Sequence, residues 1–223
     1  MTYHLAGDST VAPAKPDELP MTGWGSYIAP VVEAPVRNLA YGGATTASFL
    51  ADGSWVRLLD GVEPGDTVVI QFGHNDQKLP ELASRGGYTA NLRGMVDDVR
   101  SRGANAVLCT SVERRWFDGD RVTPTHGDYP NAVRDLAHDL DVPLIDLTVF
   151  TTWLYEELGA EASAALLSHF APGEHPLWPD GLADDTHFRE EGARRIAAYV
   201  GRSLRAIERR DGDGPAKGSQ LVS

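Results

Sequence analysis

The run Thr67-Val68-Val69-Ile70-Gln71-Phe72, closed by Gly73, constrains the fold more than any other stretch of this chain. Its apolar residues are nearly continuous rather than alternating, so both faces of the strand must be covered. A strand buried on both faces belongs inside a parallel sheet with helices packed above and below it. Four other short runs have β character, at 2–6, 36–40, 105–111 and 142–147. Helical patterns fall between them at 24–33, 46–60, 88–102, 130–140 and 149–159. The last helix is the clearest, with Ala193, Ile196, Ala197, Val200, Leu204 and Ile207 on one face. This alternation predicts an α/β sandwich around a mostly parallel sheet. In such sheets ligands bind beyond the carboxyl ends of the strands.

Residues 112–128 and 160–186 hold few periodic apolar positions and read as long connections, of the kind that carry binding loops. From 208 onward no core-forming pattern remains, so the expectation is one domain over 1–207 and a C-terminal tail over 208–223. A net charge of −12, from 20 basic and 32 acidic residues and with no basic run, disfavours nucleic acid and anionic membranes as partners. The single cysteine, Cys109, cannot form an internal disulfide or a Cys-based zinc site, and its strand position reads as core packing. No apolar stretch is long enough to span a bilayer, and no signal-peptide pattern is visible, so a cytoplasmic location is expected.

Four motifs fall at strand ends or before the last helix. Gly7-Asp8-Ser9-Thr10 follows the first strand, where a serine hydroxyl can stand at the sheet edge. It needs a base to be nucleophilic, and the plain alternative is a turn or helix cap. Asp184-Asp185-Thr186-His187 places a carboxylate three residues before a histidine. On a tight loop it can reach back to Nδ1–H, fix the tautomer and stabilise the imidazolium; an acidic helix N-terminus is the alternative. Gly73-His74-Asn75-Asp76 ends the 67–72 strand. Its asparagine amide can donate to a developing oxyanion, a contribution worth roughly 3–4 kcal/mol, or simply close an Asx-turn. Gly42-Gly43 ends the second strand and can bring a backbone N–H to the same place. The chain has no G-x-S-x-G, H-E-x-x-H, Walker A or G-x-G-x-x-G pattern.

The set Gly7-Asp8-Ser9, Gly43, Gly73-His74-Asn75-Asp76 and Asp184-x-x-His187 resembles the four blocks of the SGNH (GDSL-like) hydrolases. The rhamnogalacturonan acetylesterase branch is similar in greater detail, through GDST, FGHND and a D-x-T-H-F block, over residues 3–207. The stretch Arg114-Arg115-x-Phe117 leading to Pro124-Thr125-His126-Gly127-Asp128-Tyr129-Pro130 also looks like bacterial members of that branch. The resemblance implies a three-layer α/β/α sandwich with a mostly parallel five-stranded sheet of the flavodoxin-like type. It implies Ser9 as nucleophile, His187 as general base and Asp184 as its orienting carboxylate. The oxyanion hole would be the N–H groups of Ser9 and Gly43 with the Asn75 amide. No metal or cofactor is implied. One departure is Ala44, where that branch carries an arginine after the glycine.

The resemblance implies a serine esterase that removes O-acetyl groups from carbohydrates, with acetylated rhamnogalacturonan or pectin-derived oligosaccharides as the expected substrate. His74, Arg114, Arg115, Tyr129 and Trp178 are candidate substrate contacts. Trp178 and Tyr129 can stack on a sugar ring, and the two arginines can grip a uronate. Each has an ordinary structural alternative. A lipase or thioesterase and a catalytically silent carbohydrate-binding protein are the competing functions. The short, polar, Gly-rich connections offer no acyl-chain groove, and a pure binder has no use for Ser9, Asp184 and His187 together. The acidic balance favours small oligosaccharides over a long polyanion.

Overall fold

The computed structural model describes residues 1–212 of the chain. Five parallel strands form the central sheet in the order β2-β1-β3-β4-β7. They are β1 (Tyr3–Gly7), β2 (Val36–Asn38), β3 (Thr67–Gln71), β4 (Asn105–Cys109) and β7 (Leu144–Ile145). Between β4 and β7 the chain makes a small antiparallel pair, β5 (Phe117–Asp118) with β6 (Arg121–Val122). The helices are α1 (Ala29–Val32), α2 (Thr46–Ala51), α3 (Ser54–Leu59), α4 (Thr89–Ser101), α5 (Tyr129–Asp139), α6 (Leu147–Ser163) and α7 (Glu190–Gly212).

Side chains along a strand alternate between faces, and the core divides accordingly. Leu5, Val69, Val107 and Cys109 pack on one side with Trp24 and Ile28, Leu154 and Tyr155 of α6, and Ile196, Val200 and Leu204 of α7. Ala6, Val68, Ile70 and Leu108 pack on the other with Phe49, Leu58, Met95, Val99 and Leu136 from α2 to α5. The result is the expected three-layer α/β/α sandwich, and Cys109 is a buried core residue.

The chain runs from β1 to β2 on one side, then crosses to β3 on the other side of β1. The gap beyond the carboxyl ends of β1 and β3 is therefore a topological switch point, where open α/β sheets bind ligands. Parallel pairing sets Gly7 opposite Gln71, so the segments that follow the two strands emerge side by side.

Several elements differ from the periodicity reading. The helix expected over 24–33 is a 3₁₀ turn, Trp24–Ser26, followed by the short α1. The one expected over 46–60 is broken at Gly53, whose φ of 78° lies in the left-handed region open to glycine. Residues 160–186 were read as a connection, yet they hold β8 (Leu167–Phe170) and most of β9 (Leu182–Phe188), which pair antiparallel. The expected tail from 208 is also corrected: α7 continues to Gly212, with Ile207 against the core and Glu208 accepting from the Tyr3 hydroxyl. Residues 213–223 of that expected tail lie outside the described residues.

Ile70 is fully enclosed at the centre of the sheet, whereas Val56 is 58% exposed on α3. Ile70→Ala is expected to lower the unfolding free energy in urea by about 2–5 kcal/mol, and Val56→Ala by less than about 0.5 kcal/mol.

Candidate active site

Ser9 sits in the turn directly after β1. Asp8 shapes that turn, its carbonyl accepting from the Val11 and Ala12 N–H groups at 3.1 and 3.0 Å. Its carboxylate Oδ1 accepts from the Thr10 N–H at 3.0 Å and the Thr10 hydroxyl at 2.8 Å. With both neighbours buried and held, Ser9 is left half-buried at the cleft. Its Oγ lies 2.9 Å from His187 Nε2, and His187 Nδ1 lies 2.7 Å from Asp184 Oδ2.

Asp184 and His187 stand on β9, not on the tight loop that the spacing suggested. In a regular strand, residues three apart point to opposite faces. Pairing with β8 is interrupted here: Leu167 faces Phe188 and His169 faces Ala183, so five residues of β9 advance against two of β8. Within this bulge Asp184 Oδ1 accepts from the Thr186 and His187 N–H groups at 2.7 and 2.9 Å, which folds the backbone back and brings the two side chains together. Burial would raise the Asp184 carboxyl, but the His187 ring and these two N–H groups outweigh it and hold it below its ordinary range. An ionised Asp184 can only accept, so His187 carries its proton on Nδ1 and presents the Nε2 lone pair to the Ser9 hydroxyl.

The loop after β2 is pinned to β1 by the Tyr41 N–H donating to the Gly7 carbonyl at 3.2 Å. Gly43 within it has φ 80°, a conformation that glycine adopts without strain. Among the described residues neither the Ser9 N–H nor the Gly43 N–H has an acceptor. Asn75 is oriented at both ends of its amide: Oδ1 accepts from Lys78 Nζ at 2.8 Å and Nδ2 donates to the Ala44 carbonyl at 3.1 Å. One Nδ2–H remains. Ser9, Gly42, Gly43, Asn75, His187 and Trp178 all line one cleft of about 360 Å³. A larger cavity of about 700 Å³ opens at the amino edge of the sheet, by Asn105 and Pro143, and holds none of these groups. The arrangement sets the Ser9 hydroxyl against a histidine of fixed tautomer and places Ser9, Gly43 and Asn75 along the same cleft. Among the described residues no group of three or more His, Cys, Asp or Glu side chains is placed to hold a metal ion.

Of the candidate substrate contacts only Trp178 reaches the cleft, its ring stacked on Phe170 at 5.3 Å and beside His175 at 4.5 Å. Arg115 is committed elsewhere: its guanidinium donates to Asp185 Oδ1 at 2.6 Å, to the Ser163 hydroxyl at 3.0 Å and to the Ala160 carbonyl. Arg114 donates to the Thr125 hydroxyl at 3.2 Å and lies 3.4 Å from His126 Nε2. Tyr129 donates to the Leu82 carbonyl at 2.8 Å with its ring against Tyr88. His74 is buried, its Nδ1 3.1 Å from His126 Nε2, while His126 Nδ1 lies 2.9 Å from Glu113 Oε1. Burial, together with the neighbouring His126 and Arg114, pushes the His74 imidazole well below its ordinary range.

The sequence reading passed over Lys15 and Glu18, which line the cleft 2.7 Å apart. Their segment has neither periodicity nor motif, so no local signal marks them. Asp8 caps its turn, the plain alternative that its motif offered, whereas nothing in the sequence marks a partner for Asp76.

Residues 5–195 match the model of the GDSL-like Lipase/Acylhydrolase family. The chain is 43% identical over 206 residues to the rhamnogalacturonan acetylesterase RhgT of Bacillus subtilis, covering 91% of this chain and 89% of that one. A rhamnogalacturonan acetylesterase of Emericella nidulans is 26% identical over 219 residues, covering 88% of this chain and 81% of its own length. The crystal structure of the protein YxiM from Bacillus subtilis superposes with a TM-score of 0.76 at 25% identity, across 96% of this chain and 57% of that one.

Asp8 carries a testable consequence. Complete burial, partly offset by the Thr10 donors, pushes its carboxyl up to about 6. Between pH 4 and 6 the folded protein holds a proton that the unfolded chain has released, so this group's contribution favours folding below about pH 4 and is lost as pH rises through 6. Asp8→Asn is expected to flatten the decline in unfolding free energy between pH 4 and 7, measured by urea titration across that range.

Proposed function

We propose, given that this chain belongs to the GDSL-like lipase/acylhydrolase family and is a carboxylic ester hydrolase, that it removes O-acetyl groups from carbohydrates through an acyl-enzyme on Ser9. The observation that carries the reading is the hydrogen-bonded line from Asp184 through His187 to Ser9, opening on a cleft with three donors. Ser9 Oγ attacks the acetyl carbonyl while His187 Nε2 takes its proton. Asp184 holds the imidazole in position and stabilises the imidazolium. The charge that develops on the carbonyl oxygen is met by the N–H groups of Ser9 and Gly43 and by Asn75 Nδ2. His187 then gives the proton to the departing sugar oxygen as its bond to the acetyl carbon breaks, leaving acetyl on Ser9 and a free alcohol. A water oxygen then bonds the acetyl carbon while His187 takes its proton; the bond to Ser9 Oγ breaks, His187 returns that proton to Oγ, and acetate leaves.

The substrate we favour is an acetylated rhamnogalacturonan-derived oligosaccharide, on the strength of the two relatives that carry that name. Trp178 supplies an aromatic wall for a sugar ring. Lys15 and Glu18 add polar lining to the same cleft, which suits hydroxyl groups rather than a long acyl chain. Ala44 is fully buried and offers its carbonyl to Asn75, so it adds no side chain to the cleft.

Hydrolysis of a chromogenic phenyl acetate, and acetate release from acetylated rhamnogalacturonan, xylan and simple sugars, test the reading. Ser9→Ala is expected to lower kcat by at least about 1,000-fold, and equal turnover by the variant would remove the proposed nucleophile. Asn75→Ala is expected to lower kcat by about 100- to 1,000-fold. A rate maximum at long acyl chains would replace acetyl as the assigned group.

A further inference from the structure

Two aspartates flank the oxyanion donors in matching ways. Asp8 precedes Ser9, and Asp76 follows Asn75. Both are fully buried. Each uses a single oxygen, Oδ1, to accept both the backbone N–H and the hydroxyl of one threonine. For Asp8 the donor is Thr10, and for Asp76 it is Thr46, at 2.8 Å from N and 2.7 Å from Oγ1. Each leaves Oδ2 without a hydrogen-bond partner among the described residues.

The two arrangements differ in reach. The Asp8–Thr10 contact is local and closes the Ser9 turn. Asp76 instead links the end of β3 to the first residue of α2, thirty positions away in sequence. Thr46 lies three residues beyond Gly43, and Asn75 is the direct neighbour of Asp76. The Thr46 hydroxyl also accepts from Asn91 Nδ2 at 3.0 Å, which leaves its own proton for Asp76. Asn75 meanwhile donates to the Ala44 carbonyl. Residues 75 and 76 thus grip residues 44 and 46 in two separate places, and Gly43 is the next residue along the gripped segment.

We infer that Asp76, acting through Thr46, is a positioning residue that sets the separation of the Gly43 N–H and the Asn75 amide across the oxyanion hole. The inference rests on the esterase reading of the site. An oxyanion donor works only if it stands at hydrogen-bond distance from where the charge develops, so a shift of about 1 Å in one loop forfeits much of the stabilisation. Burial moves the Asp76 carboxyl above its ordinary range, against the lowering by its Thr46 donors. A residue that only holds the fold together would, when replaced, change stability and leave the kcat of the folded fraction untouched.

The test compares Asp76→Ala, Asp76→Asn and Thr46→Val with the wild type in the full chain, using a chromogenic phenyl acetate and thermal unfolding. Asp76→Ala is expected to lower kcat by about 100-fold with KM within about threefold. Thr46→Val keeps the N–H and loses the hydroxyl, and a several-fold fall in kcat is expected with a well-folded protein. Asp76→Asn keeps an Oδ1 acceptor for both Thr46 donors and is expected to retain kcat within about fivefold. Wild-type kcat in folded Asp76→Ala, or a change confined to KM, would overturn the inference. If Asp76→Ala does not fold, Thr46→Val decides: unchanged kcat there overturns it equally. A wild type inert towards the ester removes the esterase reading itself, whereas an active wild type with indifferent variants removes only this one.

Discussion

Parallel pairing of β1 with β3, with Gly7 opposite Gln71, is the constraint from which the site follows. A slip of one residue would move one loop along the other by about 3.3 Å and turn every side chain of the strand to the wrong face. Ser9 and Asn75, which emerge from the two strands, would no longer share a cleft. The register is held by more than the backbone ladder. Gln71 is fully buried in a strand that is otherwise apolar except at its first residue, and such an amide is costly unless both ends are bonded. Both are: Oε1 accepts from Trp24 Nε1 at 2.8 Å and Nε2 donates to the Thr10 hydroxyl. One polar side chain in the core therefore ties β3 to the Ser9 turn.

The second half of the site arrives by a different route. Ser9 and His187 are 178 residues apart in sequence, and the contact exists only because β8, β9 and α7 dock on the far side of the sheet. α7 contributes Ala193, Ile196, Ala197, Val200 and Leu204 to that core, so hydrophobic burial supplies the free energy that holds His187 against Ser9. The Asp184–His187 pair is self-contained by comparison. Asp184 is turned towards His187 by two backbone N–H groups within the β9 bulge, and the His187 ring together with those N–H groups holds its carboxyl below the ordinary range. The Asp184–His187 contact is thus made locally and brought to Ser9 by packing.

The charged residues near the cleft divide by what they touch. The two arginines proposed as grips for an anionic sugar are occupied with Asp185, Ser163, Thr125 and the Ala160 carbonyl. Arg114 also lies beside the buried line Glu113–His126–His74, which ties the loop after β3 to the loop after β4. Lys15 faces the cleft with Glu18 beside it. Trp178 lines the same cleft with its ring against Phe170.

The sequence alone determined the sheet, the edge of it at which the motifs gather, and the candidates Ser9, Gly43, Asn75, Asp184 and His187. Periodicity records burial, and short motifs at strand ends record backbone turns; both are local. Tertiary structure decided the rest. It showed that Asp184 and His187 lie on a bulged strand, because the pairing that makes β9 a strand is supplied by β8 and has no period of its own in the sequence. It assigned Arg115 to Asp185 and Tyr129 to Leu82, since a side chain's partner is whichever group packing brings within reach. It joined Asp76 to Thr46 and Glu113 to His126 and His74 for the same reason. Hydrogen bonds between distant segments leave no spacing to read, and they exist only once the sheet and its two helical layers are in place.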